Sequence, residues 1–463
     1  MIKCPNCTGE LDFNVKDKEI KCSYCGSTFK PSELKAKVKM SGEKKTVEEK
    51  NGQFFEGKSY TCSQCGAVLM TFDETAITFC SYCGSQAMIE SKMMKQNNPD
   101  FIIPFQVDKE KCIENYKKKI SRSLFVPAYM KKDTVVEKFR GIFIPYCIYT
   151  LEYHGNTSNN GSKFTHSSGN YDYYDDYAIK VYVDAKYEGV SYDLISKYYD
   201  KFSYAIPYNT KEKLDFNPNY LVGFYADTRD VPEAAYDSEA REVSRGDANK
   251  KLRKVREYSK YGCHSPVVGL DVTERKIGMF PVYFLAIRDK ANKNVSYAVV
   301  NGQTGEVAAD IPIDFKKYII FSLILSIAVF LGIDYMFVLT PNGVCILTIL
   351  FAIISLIFNI IQINKISDRA THASDIGYTV ANKINKRKKE KINSGPYIWK
   401  PIISMIIPLF VLFAGIIDDE ILYGAALIGL AFVVLSFKDL VKEHNILVSN
   451  KLPQLEKRGG DEK

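Results

Sequence analysis

Eight cysteines near the N-terminus carry the clearest chemistry in this chain: Cys4, Cys7, Cys22 and Cys25, then Cys62, Cys65, Cys80 and Cys83. Each set reads C-x2-C, fourteen residues, C-x2-C, and the second pair reads CSYCGS in both sets. Zn²⁺ takes four ligands in a tetrahedron and favours thiolate. A C-x2-C turn brings two sulfurs to one ion while backbone N–H groups point at them. Gly26, Gly66 and Gly84 follow the second cysteine of three turns, where the chain can leave with positive φ. In the first turn Thr8 and then Gly9 stand there. Two such turns fourteen residues apart suit a short hairpin between them, the zinc-ribbon layout. The expectation is two closed, structural zinc ions. A ribbon of roughly 25 residues has too little core to fold without its metal. The start, MIKCPNCTGE, has no apolar leader, so reduced cysteines in the cytoplasm are expected.

The elements that must hold these turns come next. The chain has 463 residues, 46% hydrophobic and 25% charged, with a net charge of +8. Length and composition suggest two to four packed units, here in a multidomain α+β arrangement. The expected division is ribbon 1 (residues 1–30), a charged linker (31–58), ribbon 2 (59–90), a soluble mixed α+β domain (101–315), a transmembrane hairpin (316–363), a basic cytoplasmic loop (364–400), a second transmembrane hairpin (401–437) and a polar tail (438–463). Within 101–315, Asp108–Leu124 has helical spacing, and Glu233–Tyr261 is charged with a helical period. Gly141–Tyr153, Tyr177–Tyr187, Phe280–Ile287 and Val295–Val300 read as strands, with a turn at Asn301-Gly302. Gly155–Gly169 reads as a polar loop, with His154 just before it and His166 within it.

Four apolar stretches follow: Tyr318–Leu339, Val344–Ile363, Ile402–Ile417 and Ile421–Phe437. A bilayer core takes about 20 apolar helical residues, so four spans in two hairpins are expected. Residues 364–400 hold nine basic side chains against three acidic ones, and the short hairpin loops hold none that are basic. Basic loops stay inside, so a multi-pass protein of a bacterial cell membrane with both termini in the cytoplasm is expected. Asp334 reads as an interfacial carboxylate near the end of the first span.

Other signals carry less. Gly52–Ser59 matches the phosphate-loop pattern GxxxxGK[ST], but polar residues precede it and a cysteine turn follows, so the match is taken as fortuitous. Residues 1–100 hold fourteen lysines against thirteen acids, a poor footprint for nucleic acid. Basic runs at Lys111–Arg140 and Lys250–Lys260 suit a solvated face or anionic lipid. The five histidines (His154, His166, His264, His372, His444) show no catalytic or ligand spacing.

The layout resembles a family of bacterial, mostly Gram-positive, membrane proteins described as TFIIB-type zinc-ribbon-containing. The resemblance rests on the paired ribbons, Lys58-Ser59-Tyr60-Thr61-Cys62, Ile103-Pro104-Phe105-Gln106-Val107, Gly141-Ile142-Phe143-Ile144-Pro145-Tyr146, Tyr220–Ala226 and Asn301–Val307. Pro145-Tyr146-Cys147 departs from the Pro-Phe-Trp of that family. Some of its members are labelled a primosomal helicase, yet no helicase motor motif stands in this chain. The resemblance implies zinc and a membrane anchor, and no activity. The expected function is therefore non-enzymatic: a zinc-binding membrane protein that contacts lipid and presents its cytoplasmic part to a protein partner. Membrane-tethered nucleic-acid binding is one alternative, and a membrane enzyme or transporter is another.

Overall fold

A computed structural model describes residues 3–34, 54–72, 77, 79–86, 88–254, 268–289, 294–324, 340–370, 375–382, 395–416 and 418–451. The first unit is a small antiparallel sheet of β1 (Leu11–Asn14), β2 (Glu19–Cys22) and β3 (Thr28–Phe29). Outside the C-terminal helices, the rest of the chain is organised by one sheet of twelve strands. Its members are β4 (Phe54–Cys62), β5 (Val68–Thr71), β6 (Met88–Asn97), β7 (Phe101–Ile102), β8 (Arg140–Ser168), β9 (Tyr171–Asp193), β10 (Leu214–Asp215), β11 (Tyr225–Asp227), β12 (Asp271–Asp289), β13 (Asn294–Asn301), β14 (Val307–Ala309) and β15 (Asn450–Lys451). The spine runs β10-β7-β12-β8-β11-β5-β4-β6, with β9 on β8, and with β13 joining β12 to β14 and β15.

The central strands β8 and β12 are apolar on both faces because both faces are covered. Ile142, Ile144 and Tyr146 meet Phe280, Val282 and Phe284 on one side. Phe143 meets Met279, Tyr283 and Leu285 on the other. The second face is roofed by helix α1 (Lys109–Ser121), which buries Cys112, Tyr116 and Ile120 at helical spacing. Asp108 caps it by accepting from Lys111 N–H at 2.7 Å. The short helices α2 (Asp133–Val136) and α3 (Asp200–Ala205) complete the two layers. Helix α4 (Asp237–Leu252) packs through Ala240, Ala248 and Leu252 on the base of the β8–β9 hairpin.

Several boundaries differ from those read in the sequence. Gly155–Gly169 is strand nearly to its tip, because β8 and β9 stay paired from Tyr146↔Asp193 out to Ser168↔Tyr171. Every residue from Lys163 to Asp176 on this arm is exposed, so both faces are wet and no alternation of buried and exposed positions marks the strands. The supposed linker 31–58 ends in structure, since Phe54–Lys58 belong to β4. Ribbon 2 is not a free-standing module: β5 pairs with β11 and so joins the cysteine hairpin to the main sheet. The supposed tail from 438 is helical to Leu447, and β15 then returns to pair with β13.

The C-terminal third contains helices α5 (Pro341–Ala370), α6 (Ile376–Ala381), α7 (Gly395–Phe413) and α8 (Asp419–Leu447). Four membrane spans were expected; the described residues contain two helices long and apolar enough to cross a membrane, α5 and α8. Helix α7 is apolar over a shorter length, Tyr397–Phe413. Residues 315–324 are helical, and the rest of the first expected span, with Asp334, lies outside the described residues. So do residues 371–374 and 383–394 of the basic loop, and residues 35–53.

Burial in these helices is inverted relative to a water-soluble core. Leu350, Phe351, Ile354 and Phe358 of α5 face outward, as do Leu427 and Val434 of α8. Leu422, Val433 and Ile363 are buried, but many of the buried positions are small or polar, with Thr348, Ser355 and Asn359 set against Gly429 and Ser436. Small and polar contacts inside with large apolar side chains outside are what lipid-embedded helix packing selects.

Candidate metal centres

All eight predicted cysteines are gathered into two groups of four, and within each group the sulfurs lie within 4.8 Å of one another. In the first, Cys4–Cys25 and Cys7–Cys22 Sγ atoms are 3.6 and 3.5 Å apart. In the second, Cys62–Cys83 and Cys65–Cys80 are 3.7 and 3.6 Å apart. A disulfide holds its sulfurs about 2.05 Å apart. A tetrahedron with metal–sulfur bonds of about 2.3 Å has edges of roughly 3.8 Å. Both clusters therefore fit a four-thiolate metal ion such as zinc, with no open coordination position.

Local hydrogen bonds explain why the chain makes these turns. Thr8 N–H donates to Cys4 O, Gly26 to Cys22 O, Gly66 to Cys62 O and Gly84 to Cys80 O, at 2.8–3.0 Å. Each turn is closed from the other side, as when Cys62 N–H donates to Ala67 O. All four residues after the second cysteine have positive φ, between 59° and 73°. Thr8 adopts this conformation itself at φ 59°, so Gly9 is not the residue that relieves the first turn.

The two centres differ in their surroundings. In the first, Cys4 and Cys22 are buried but Cys25 is exposed. Its ribbon docks on the loop after β10 through Phe13 on Tyr220, 5.6 Å between rings, and through Leu11, Leu34 and Val222. Asn219 fastens it by donating to Pro31 O and Leu34 O, both at 2.7 Å. In the second, Cys62, Cys80 and Cys83 belong to the core on one face of the main sheet. Tyr82, between the last two ligands, is buried and donates its hydroxyl to Asp227 of β11. Burial pushes the Asp227 carboxyl up to about 7, partly opposed by that hydroxyl and by Thr228 N–H at 2.6 Å.

Sequence reading missed the charge that faces the second centre. Arg288 of β12 donates from Nε to Cys83 O at 2.5 Å, and its Nη2 lies 3.8 Å from Cys83 Sγ. The same Nη2 donates to Gln64 Oε1 at 3.0 Å. Four thiolates on a divalent ion carry a net charge of −2, which a partly buried guanidinium offsets. No motif announces Arg288, since it comes from a strand more than two hundred residues away; a basic residue at the end of the apolar run Ile277–Ile287 is its one trace.

The remaining singled-out residues do not join these clusters. His154 pairs with Asp184 at 2.8 Å across the β8–β9 hairpin, and His166 stacks on Tyr173. His444 lies 3.2 Å from Ile311 O, while His264 and His372 lie outside the described residues. Of the phosphate-loop match, Phe54–Ser59 are strand residues, and β4 runs into the Cys62 turn instead of a helix. Cys112, Cys147 and Cys345 are buried free thiols.

No family model matches this chain, and no solved structure matches it. The uncharacterized protein YdjG of Bacillus subtilis (strain 168) is 23% identical over 331 residues, which cover 68% of this chain and 91% of YdjG.

Proposed function

We propose that the chain is a non-enzymatic, zinc-binding integral membrane protein that presents a cytoplasmic sheet domain to a protein partner. The observation that carries this reading is the β8–β9 arm. Beyond Glu152, where β12 stops pairing with β8, the hairpin continues for about 50 Å at roughly 3.3 Å per residue. Its tip exposes Phe164, Tyr171, Tyr173 and Tyr174. Rigid aromatic side chains on a hairpin offer contact area at low entropic cost. Around them stand Asp172, Asp175 and Asp176 against Lys163, so the favoured partner surface is basic protein and not phosphate-rich nucleic acid.

The two ions are read as zinc, and both act as staples: one fixes ribbon 1 on the loop around Asn219, the other builds ribbon 2 into the sheet. The inverted burial of α5 and α8 supports a membrane-embedded bundle, with the first expected span and α7 completing two hairpins. The resemblance to TFIIB-type zinc-ribbon-containing membrane proteins supports the same reading. The transporter alternative draws on one observation, the polar seam of Thr348, Ser355 and Asn359 inside the bundle.

The test is crosslinking and affinity capture of the intact protein from membranes, with zinc measured on the same sample. Two zinc ions per chain, sedimentation with membranes, and a crosslinked protein lost on Tyr173→Ser/Tyr174→Ser are expected. Recovery in the soluble fraction would overturn the anchor, and unchanged crosslinking by the double variant would overturn the role of the arm.

A further inference from the structure

Helices α5 and α8 run parallel and in a fixed register. Ser355 Oγ and Ser436 Oγ lie 2.8 Å apart at a sequence separation of 81. The same separation recurs one heptad earlier, where a Cβ built on Gly429 would stand 2.7 Å from Thr348 Cγ2. Carried one heptad further, the same offset sets Gln362 level with Glu443. The seam between the helices therefore carries Thr348/Gly429, Ser355/Ser436 and Gln362/Glu443 in succession, with Asn359 between the last two levels. Seven-residue spacing keeps all of them on the contact line of two parallel helices.

The oxygens at the end of this seam are unmatched. Asn359 spends its amide hydrogens on Ser436 Oγ at 2.7 Å and Ser355 O at 2.9 Å, which leaves Oδ1 over. Asn359 Oδ1, Gln362 Oε1 and both carboxyl oxygens of Glu443 are buried without a hydrogen-bond partner among the described residues. Glu443 is fully buried. One turn before it, Asp439 already holds Lys400 at 2.5 Å, so that cation is committed elsewhere. The levels of Asn359 and Gln362 are about 4.5 Å apart along the helix. The helix register thus places the residues that carry these four acceptor oxygens within a single turn of the seam.

An unpaired buried carboxylate costs several kcal/mol. A proton on Glu443 would supply one donor hydrogen for four acceptors and leave the amide oxygens unmet. A hard cation meets all four, since such ions are held by carboxylate and amide oxygens. One carboxylate balances a single positive charge. A divalent ion would call for a second free carboxylate, and Asp439 is paired.

A cavity of about 390 Å³ lies near the same end, where α5 and α8 leave the bundle, lined by Lys365, Asp368 and Arg369 of α5 and by Leu447 and Val448. Asp310 at its wall is paired with Lys201 at 2.7 Å. Lys365 is three residues beyond Gln362, and Leu447 four beyond Glu443, so the cavity opens about one turn below the unmatched oxygens.

We propose that Glu443, Gln362 and Asn359 form a binding site for a dehydrated monovalent metal cation, entered from the cavity at the sheet-domain end of the bundle. Polar and ionisable groups inside apolar helix bundles mark ion sites in just this manner, through side-chain and backbone oxygens. The site uses no zinc ligand, and its chemistry is separate from the arm.

The test uses the full-length protein purified in detergent. Its thermal midpoint is followed in sodium chloride, potassium chloride and choline chloride at equal ionic strength. A saturable rise with sodium or potassium, absent in choline, is expected. Glu443→Gln should remove the saturable response while zinc content stays at the wild-type level. Gln362→Leu, which keeps the carboxylate, should weaken the apparent affinity about tenfold through loss of one ligand oxygen. A midpoint indifferent to the cation would overturn the proposal, as would a wild-type response in Glu443→Gln. If Glu443→Gln does not fold, Gln362→Leu decides: unchanged affinity overturns the site and weakened affinity supports it.

Discussion

The Arg288 guanidinium bridges strand β12 to the second cysteine cluster, donating to Cys83 O at 2.5 Å with Nη2 3.8 Å from Cys83 Sγ. This contact ties the metal ligands to the centre of the sheet, and it has no counterpart among the described contacts of the first cluster. Removing groups that tune metal ligands costs about 10–100-fold in metal affinity. Arg288→Leu is therefore expected to lower zinc affinity at one of two sites by that order, leaving the other unchanged. Titration with a chromophoric chelator checks it: a biphasic release in the variant, against two late phases in the wild type. Arg288→Lys keeps the charge but not the fork, and should fall between them.

The pairing of Tyr82 with Asp227 sets a pH dependence. Burial raises the folded-state pKa of Asp227 from its ordinary 3.8 to about 7. The folded chain then holds this proton more tightly than the unfolded chain. The associated stability is complete below about pH 4, is lost as the pH rises to about 7, and changes no further above that. Asp227→Asn removes the titration and keeps an acceptor for Tyr82. The variant should melt higher than wild type at about pH 8, with the gap closing towards about pH 5. An equal gap at both values would mean that Asp227 does not titrate in this range.

Both of those relationships were invisible in the sequence, and the reason is the same. The cysteines could be read because four ligands of one ion must recur at short, fixed spacings, and because the left-handed exit at Gly26, Gly66 and Gly84 leaves glycine behind. Helix α1 could be read because one face is buried and the other wet. Arg288 and Asp227 approach the ligands from distant strands, and long-range pairing leaves no local pattern. The β8–β9 arm failed for a different reason: a ribbon wet on both faces shows no alternation between Lys163 and Asp176. Strand β15 was missed because two residues after a long apolar helix carry no signal, although they close the chain back onto β13. The Gln362/Glu443 level depends on helix register, which the Ser355–Ser436 contact fixes and the sequence does not.

The first ribbon should be the more easily removed of the two. Its three strands pair with one another and not with the main sheet. Cys22→Ser/Cys25→Ser deletes half of its ligands, and the loss of its metal should unfold residues 3–34 while the twelve-stranded sheet persists. Hydrogen exchange checks this: protection at Leu11–Cys22 is expected to vanish, with β8 and β12 unchanged. Cys80→Ser/Cys83→Ser should instead loosen the sheet itself, since Cys62, Cys80 and Cys83 sit in its core with Phe284 and Tyr198. Full zinc stoichiometry in the first variant would contradict the assignment.

Helix packing in the C-terminal bundle depends on the absence of a side chain at Gly429. A Cβ there would stand 2.7 Å from Thr348 Cγ2 and 3.1 Å from both Pro408 Cγ and Ser404 O. Ser404 Oγ also donates to Gly429 O at 2.7 Å, so α7 and α8 meet backbone to side chain at this level. The Thr348 methyl can be removed by substitution, but the Ser404 carbonyl cannot. Gly429→Ala should therefore destabilise the bundle by about 1–3 kcal/mol, the range for overpacking. Thr348→Ser removes the methyl and keeps the hydroxyl bonded to Val344 O, so the double variant should recover part of the loss and not all of it. Thermal midpoints of the purified full-length protein in detergent measure both. Leu427→Ala and Val434→Ala, on the outward face of the same helix, delete much more volume, yet they should move the midpoint less. If the outward pair destabilised the protein more than Gly429→Ala, those side chains would be packed against protein, and the inverted burial would not reflect a surface that faces lipid.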